Sequence, residues 1–122
     1  MYPTAITFKD IKAWQKAYEL TLKIYKFTKN YPNFEQFGLT SQIRRASVSI
    51  ISNIAEGFKR KGEKDKLKFY NQAEASLEEV KCQTMLSRDL EYITHSEYLE
   101  IHQLENDSGK LLSGWIKSIH TT

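Results

Sequence analysis

The chain has one cysteine, Cys82, among 122 residues. That excludes an internal disulfide and argues against a structural zinc site. Cys82 has no motif or helix-terminal position to lower its pKa, so it reads as a buried or half-buried structural thiol. Only 2 prolines and 5 glycines are present, mostly outside the periodic stretches, so little interrupts long helices. No apolar run approaches the ~20 residues that cross a bilayer. The start, MYPTAITFKD, has no basic segment leading into an apolar one, so no signal peptide is expected and the cytoplasm is the natural compartment.

Catalytic signatures are missing as well. There is no glycine-rich phosphate loop, no G-x-S-x-G and no H-E-x-x-H. The Glu-x-x-His signature of di-metal bundles is absent too, because Tyr92, Leu99 and Lys117 stand three residues before His95, His102 and His120. The histidines read as surface residues. Ser47, Ser49 and Ser52 read as small packing and surface residues with no base in prospect, and Glu78-Glu79 as a solvated or arginine-pairing site. The expectation is a protein without catalytic residues, metal or cofactor.

What the sequence does have is helical periodicity over nearly its whole length. The stretch Leu39–Gly62 places Leu39, Ile43, Ala46, Ile50, Ile54 and Gly57 on one apolar face at ~100° per residue. Val48, Ile51, Ala55 and Phe58 form an adjoining face, with Arg45, Ser49, Ser52 and Glu56 opposite. Two faces covering half the circumference suit a central helix that touches several neighbours, another copy of the chain among them. Gly62 suits the C′ position of that helix, and Lys59, Arg60 and Lys61 suit its negative end.

The spacing predicts a first helix over about 10–30, with Ile11, Trp14, Tyr18, Leu22 and Tyr25 as its apolar stripe. It is preceded by an extended lead-in from Tyr2 to Lys9, where Pro3 blocks early helix and Phe8 can staple onto the first turn. Asn30-Tyr31-Pro32-Asn33 ends that helix. A third helix is expected over about 63–92 on Phe69, Ala73, Leu77, Val80 and Thr84, widened by Tyr70, Ala75 and Ser76. Thr94-His95-Ser96-Glu97 has capping-box spacing and starts a fourth over about 95–119, carrying Tyr98, Ile101, Leu104, Ser108, Leu112, Trp115 and Ile119. Its middle, Glu105-Asn106-Asp107-Ser108-Gly109, forms helix poorly and predicts a soft or bent region. Together with a second helix over 39–61, these make one all-α domain, 1–122, folded as an antiparallel up-down-up-down four-helix bundle.

Charge is uneven along the chain. Residues 1–70 carry 14 Lys/Arg against 6 Asp/Glu, and residues 71–122 carry 4 against 9. Such polarity suits an anionic partner or attraction between copies of the chain. The densest basic cluster is Lys59, Arg60, Lys61, Lys64, Lys66 and Lys68, interleaved with Phe58, Phe69 and Tyr70, a composition suited to single-stranded or structured RNA, although a solvated helix junction looks much the same. Lys12, Lys16 and Lys23, with Lys9 and Lys26, share a face of the first helix that is either solvated or one wall of a phosphate-binding surface. Arg45 belongs with this nucleic-acid-binding set. Arg44 falls within the second apolar arc, where it either pairs with a carboxylate of another helix or subunit or contacts phosphate. With Val48, Ile51, Ala55 and Phe58 it makes up the expected oligomer interface. Asn53, at the edge of the core stripe, reads as a buried amide that fixes register.

The motif F-x-D-I-x-x-W (Phe8, Asp10, Ile11, Trp14), then P-x-x-E (Pro32, Glu35), then Leu39 through Gly57 with Q-I-R-R-A and N-I-A-E-G, then Ala73, Ser76, Leu77 and Glu79, resembles the four-helix-bundle proteins encoded in intervening sequences of bacterial 23S ribosomal RNA genes. Where relatives often have Gly before that Ser, this chain has Ala75. The resemblance implies a non-catalytic bundle assembled as a barrel-like homopentamer. It extends to accessory proteins of diversity-generating retroelements, which implies RNA or DNA and a reverse transcriptase as partners. The alternative is a protein–protein assembly module that binds no nucleic acid.

Overall fold

A computed structural model describes residues 5–120, except for the His120 side chain. The part of the lead-in that includes Pro3 lies outside the described residues, as does the surface role expected of His120. Four helices account for most of the chain: α1 Lys12–Thr28, α2 Leu39–Lys59, α3 Glu63–Asp89 and α4 His95–His120. Short 3-10 turns at Phe8–Asp10 and Asn33–Glu35 precede α1 and α2. Among the described residues there is no strand.

Each helix packs against two others, α1 on α2 and α4, and α3 on α2 and α4, in a square whose diagonals do not meet. Cross-links give the directions. Thr28 Oγ1 accepts from Arg44 Nε at 2.8 Å, while Thr21 Oγ1 donates to the Ser47 carbonyl at 3.2 Å, so α1 and α2 run oppositely. Ser49 meets Ser76 at 2.8 Å while Gly57 lies against Tyr70, which makes α2 and α3 antiparallel. Thr84 meets Glu105 and Tyr70 meets Trp115, which does the same for α3 and α4.

Local chemistry sets the helix ends. Asp10 accepts from the backbone N–H groups of Ile6 and Thr7 at 2.9 and 3.0 Å, and the Thr7 side chain accepts from Lys9 N–H. This reciprocal box closes the first 3-10 turn. Those same backbone bonds, Thr7's first, hold the Asp10 pKa below its ordinary value. Ile11 then adopts an extended conformation and enters the core, so α1 starts two residues later than its periodicity predicts. Phe8 meets Trp14 edge-on at 4.9 Å, the expected staple. At α2, Glu35 Oε1 accepts from Leu39 N–H at 3.0 Å, and Oε2 accepts from Tyr92 O–H at 2.9 Å. One carboxylate thus caps α2 and ties the α1–α2 turn to the α3–α4 turn.

The α2 stripe is buried as read: Leu39, Ile43, Ala46, Ile50, Ile54 and Gly57. Gly57 has a specific reason to be glycine, because a Cβ there would lie 2.6 Å from Tyr70 Cε1. On α1 the structure corrects the reading. The buried residues are Ala13, Ala17, Leu20, Thr21, Ile24, Phe27 and Thr28, while Tyr18, Leu22 and Tyr25 are exposed. Two small alanines let α1 approach the core closely, and the larger side chains are left outside. On α3, Tyr70 is fully buried and Phe69 is only half-buried.

Three further expectations change. Gly62 does not terminate α2 in a left-handed conformation. Arg60 leaves the helix extended, and Gly62 is the residue before α3, with φ −90°. The left-handed residue is instead Glu91, φ 62°, after α3, where Tyr92 N–H reaches the Ser87 carbonyl at 2.9 Å. The middle of α4 is not broken: the helix is continuous through Glu105–Gly109, and Glu105 faces inward. Cys82 is exposed, not buried.

Candidate nucleic-acid interface

The basic cluster gathers at one end of the bundle, where α2 ends, α3 begins and the 3-10 turn before α1 packs against α2. Its cations divide into two kinds. Lys66 Nζ donates to the carbonyls of Phe58 at 2.8 Å and Gly57 at 3.3 Å, and lies 5.6 Å from the Phe58 ring centre. It therefore caps the carbonyl end of α2, and partial burial lowers its pKa. Arg60 stacks on Phe69 at 4.6 Å and reaches Glu56 at 3.2 Å and Asp65 at 3.8 Å. Both were read as nucleic-acid contacts, and both side chains are engaged within the fold.

Lys59, Lys61 and Lys64 are different. They are exposed and make no hydrogen bond or ion pair among the described residues. Lys68 is also exposed, with its ammonium 6.0 Å from the Phe69 ring centre. The interleaved aromatics do not offer open faces: Tyr70 is in the core, and Phe58 and Phe69 lie half-buried under the chain's own cations. On α1, Lys12 is exposed, Lys16 pairs with Glu19 at 3.4 Å, and Lys23 pairs with Glu100 of α4. The structure thus brings Lys12 to the same end as the lysine cluster and ties Lys16 and Lys23 into ion pairs. These exposed pairs add little to stability.

Arg44 and Arg45 lie at the opposite end of α2. Arg44 pairs with no carboxylate among the described residues. Its Nε donates to Thr28 Oγ1, and its guanidinium sits 4.8 Å from the Tyr25 ring centre. It therefore braces the last turn of α1, an attachment the sequence gives no means of choosing over an ion pair. Arg45 is exposed. The expected interface residues lie along one face of α2 and differ in exposure. Val48 is exposed, Ile51 and Ala55 are half-buried, and the Phe58 ring lies near Lys66. Val48 is joined instead by Tyr18, Leu22 and Tyr25 of α1, with Leu22 56% exposed, in an apolar surface that spans α1 and α2. Asn53 is half-buried and its amide donates only to Ser49 within α2; the hydrogen bond that crosses to α3 is made by Ser49 with Ser76.

One buried group escaped the sequence reading. Glu105 is 1% exposed. Its Oε2 accepts from Thr84 Oγ1 at 2.8 Å, and its Oε1 stands 3.8 Å from Nδ1 of the exposed His102. Burial pushes its pKa up to about 7, against smaller lowering effects from Thr84 and Lys81. The signal was present, since Glu105 lies four residues after Ile101 and seven before Leu112, on the core stripe itself. Among the described residues, no group of His, Cys, Asp and Glu could hold a metal, and no helix is long and apolar enough to cross a membrane.

Square packing, a basic end and an apolar strip on α1 and α2 together define an all-α bundle protein whose distinguishing features lie on its surface. The chain belongs to the 23S rRNA-intervening sequence protein family, whose model matches residues 9–114. A similar solved structure comes from Bacteroides thetaiotaomicron VPI-5482 and is described as a protein with unknown function from the S23 ribosomal protein family. It is 29% identical, covers 89% of this chain and 98% of its own, and superposes with a TM-score of 0.80. No curated protein matches the chain.

Proposed function

We propose that the protein is a non-catalytic, oligomeric bundle that binds RNA or DNA through the basic end formed by Lys59, Lys61, Lys64 and Lys68, with Lys12 beside them. One observation carries the reading: after the structural cations are set aside, Lys59, Lys61 and Lys64 still project into solvent with no carboxylate partner among the described residues. With no open aromatic face beside them, they would hold phosphates and read few bases, so affinity falls steeply with salt. Three or four phosphate contacts give a log–log slope of roughly −2 to −3.5.

The test is anisotropy of a labelled RNA across a salt series, for the native chain and for the triple variant K59E/K61E/K64E. The variant should lose roughly tenfold or more in affinity and flatten the slope. Unchanged binding in that variant, or binding insensitive to salt, overturns the reading. The apolar surface of Tyr18, Leu22, Tyr25 and Val48 supports self-association, because exposed contiguous apolar side chains seek a partner. A pentameric ring, a cytoplasmic setting and a reverse-transcriptase partner extend this same proposal. The alternative, an assembly module without nucleic acid, predicts a light-scattering mass that changes with salt and ignores RNA.

A further inference from the structure

A surface built for a single strand sets open aromatic faces among its cations, so that bases can stack on them. The lysine-rich end has the cations without the faces. Tyr70 is in the core, Phe69 lies under Arg60 at 4.6 Å and Lys68 at 6.0 Å, and the Phe58 ring is 5.6 Å from the Lys66 ammonium. Phe8 and Trp14, near Lys12, are half-buried and meet each other edge-on at 4.9 Å. The widely exposed rings, Phe34 at 79% and Phe37 at 89%, belong to the connection before α2, at the other end of that helix.

What does project at the lysine-rich end is a ridge of α3. Lys64, Lys68 and Asn71 fall within about 60° of one another at ~100° per residue, over about 10 Å of helix. All three are exposed, and the Asn71 amide makes no hydrogen bond among the described residues. No carboxylate shares that face before Glu78, and Asp65, round the side of the helix, is held by Arg60 at 3.8 Å. A cleft of about 620 Å³ runs beside the ridge, lined by these three residues with Gly62, Asp65 and Leu67 and by no aromatic side chain. It can seat a sugar–phosphate backbone and offers a base nothing to stack on.

A duplex needs no stacking platform, because its bases stack on one another inside it. It also carries one charge per about 1.7 Å of axis, twice the density along either strand, so contacts made by charge alone favour it. We propose that the lysine-rich end binds double-stranded nucleic acid, with phosphates of one strand along Lys64, Lys68 and Asn71 and further phosphates at Lys59 and Lys61. This partner is a narrower form of the one given to the basic end above and rests on that reading. RNA and DNA duplexes present the same chemistry, two rails of phosphate around a stacked interior.

Fluorescence anisotropy on the full chain tests it, with RNA and DNA duplexes of about 20 base pairs, two helical turns, against unpaired oligo(rU) and oligo(dT) carrying as many phosphates. Light scattering is run on every variant. At one salt concentration each duplex should bind roughly fivefold or more tightly than its matched strand, with a steeper log–log slope, about −0.9 against −0.7 per contact. N71D is isosteric and exposed, so the fold is retained while a carboxylate enters the ridge. It should weaken duplex binding several-fold, and K68E should weaken it further. Whichever duplex binds more tightly is the source, and equal binding means that either serves. Strands that bind as tightly as duplexes or more so, with K59E/K61E/K64E still weakening both, overturn the duplex and leave the basic end standing. Duplex affinity unmoved by N71D and K68E overturns it too, since the ridge would then lie off the contact. If neither duplex nor strand binds, the basic-end reading falls and the duplex falls with it.

Discussion

Replacing Glu105 by glutamine should stabilise the bundle at neutral and alkaline pH and leave it nearly unchanged in acid. The carboxyl sits in the core with one hydroxyl donor, Thr84, and no Lys or Arg in salt-bridge contact among the described residues; the exposed His102 ring stands 3.8 Å away. Its folded pKa of about 7 lies above the ordinary 4.5. The folded state therefore holds the Glu105 proton more tightly than the unfolded chain does. The stability this provides is full below about pH 4.5, declines as pH rises, and is gone above about pH 7. A shift of that size corresponds to about 3 kcal/mol. Glutamine keeps the size and an acceptor for Thr84 and cannot ionise. Urea melts of the native chain and E105Q from pH 5 to 8.5, at one protein concentration, isolate the contribution of Glu105 and its neighbour His102, because titrations elsewhere cancel in the difference. The gap should open by about 2–3 kcal/mol between pH 5 and 8, or roughly 10 °C in Tm. Curves that stay parallel across that range would refute a proton held in the core.

Two further outcomes follow from the backbone. G57A should cost about 1–3 kcal/mol, because its Cβ meets the Tyr70 ring at 2.6 Å, and the shorter side chain of Y70L should recover part of that loss in a thermal melt of the double variant. E91G should raise stability by up to about 1 kcal/mol, since Glu91 holds φ 62° after α3 at a position glycine adopts without strain. A lower melting temperature for E91G would show that the Glu91 side chain contributes more than its backbone costs.

The α2 stripe was legible because six apolar positions recur at helical spacing, and the adjoining arc of Val48, Ile51, Ala55 and Phe58 was kept apart from it. The α1 stripe was not. Periodicity weights large residues, so it chose Trp14, Tyr18, Leu22 and Tyr25 over Ala13 and Ala17, whose small size is what admits close packing. Glu105 was missed for a related reason, since a carboxylate on a core stripe looks like a helix defect until its environment is known. The basic end was legible as a charge cluster. Its division into structural and open cations was not, because Lys66 and Arg60 are distinguished from Lys61 only by carbonyls, rings and carboxylates that folding brings to them.

The carboxylate of Glu35 joins two turns that lie 57 positions apart. Anything inserted between residues 33 and 37 would prise the α1–α2 hairpin from the α3–α4 hairpin at that end, whatever its own sequence. Gly62 has no atom within 4 Å of where a side chain would begin. A spectroscopic label is therefore best carried at position 62 itself, where it meets no neighbouring atom and reports directly from the lysine-rich pole.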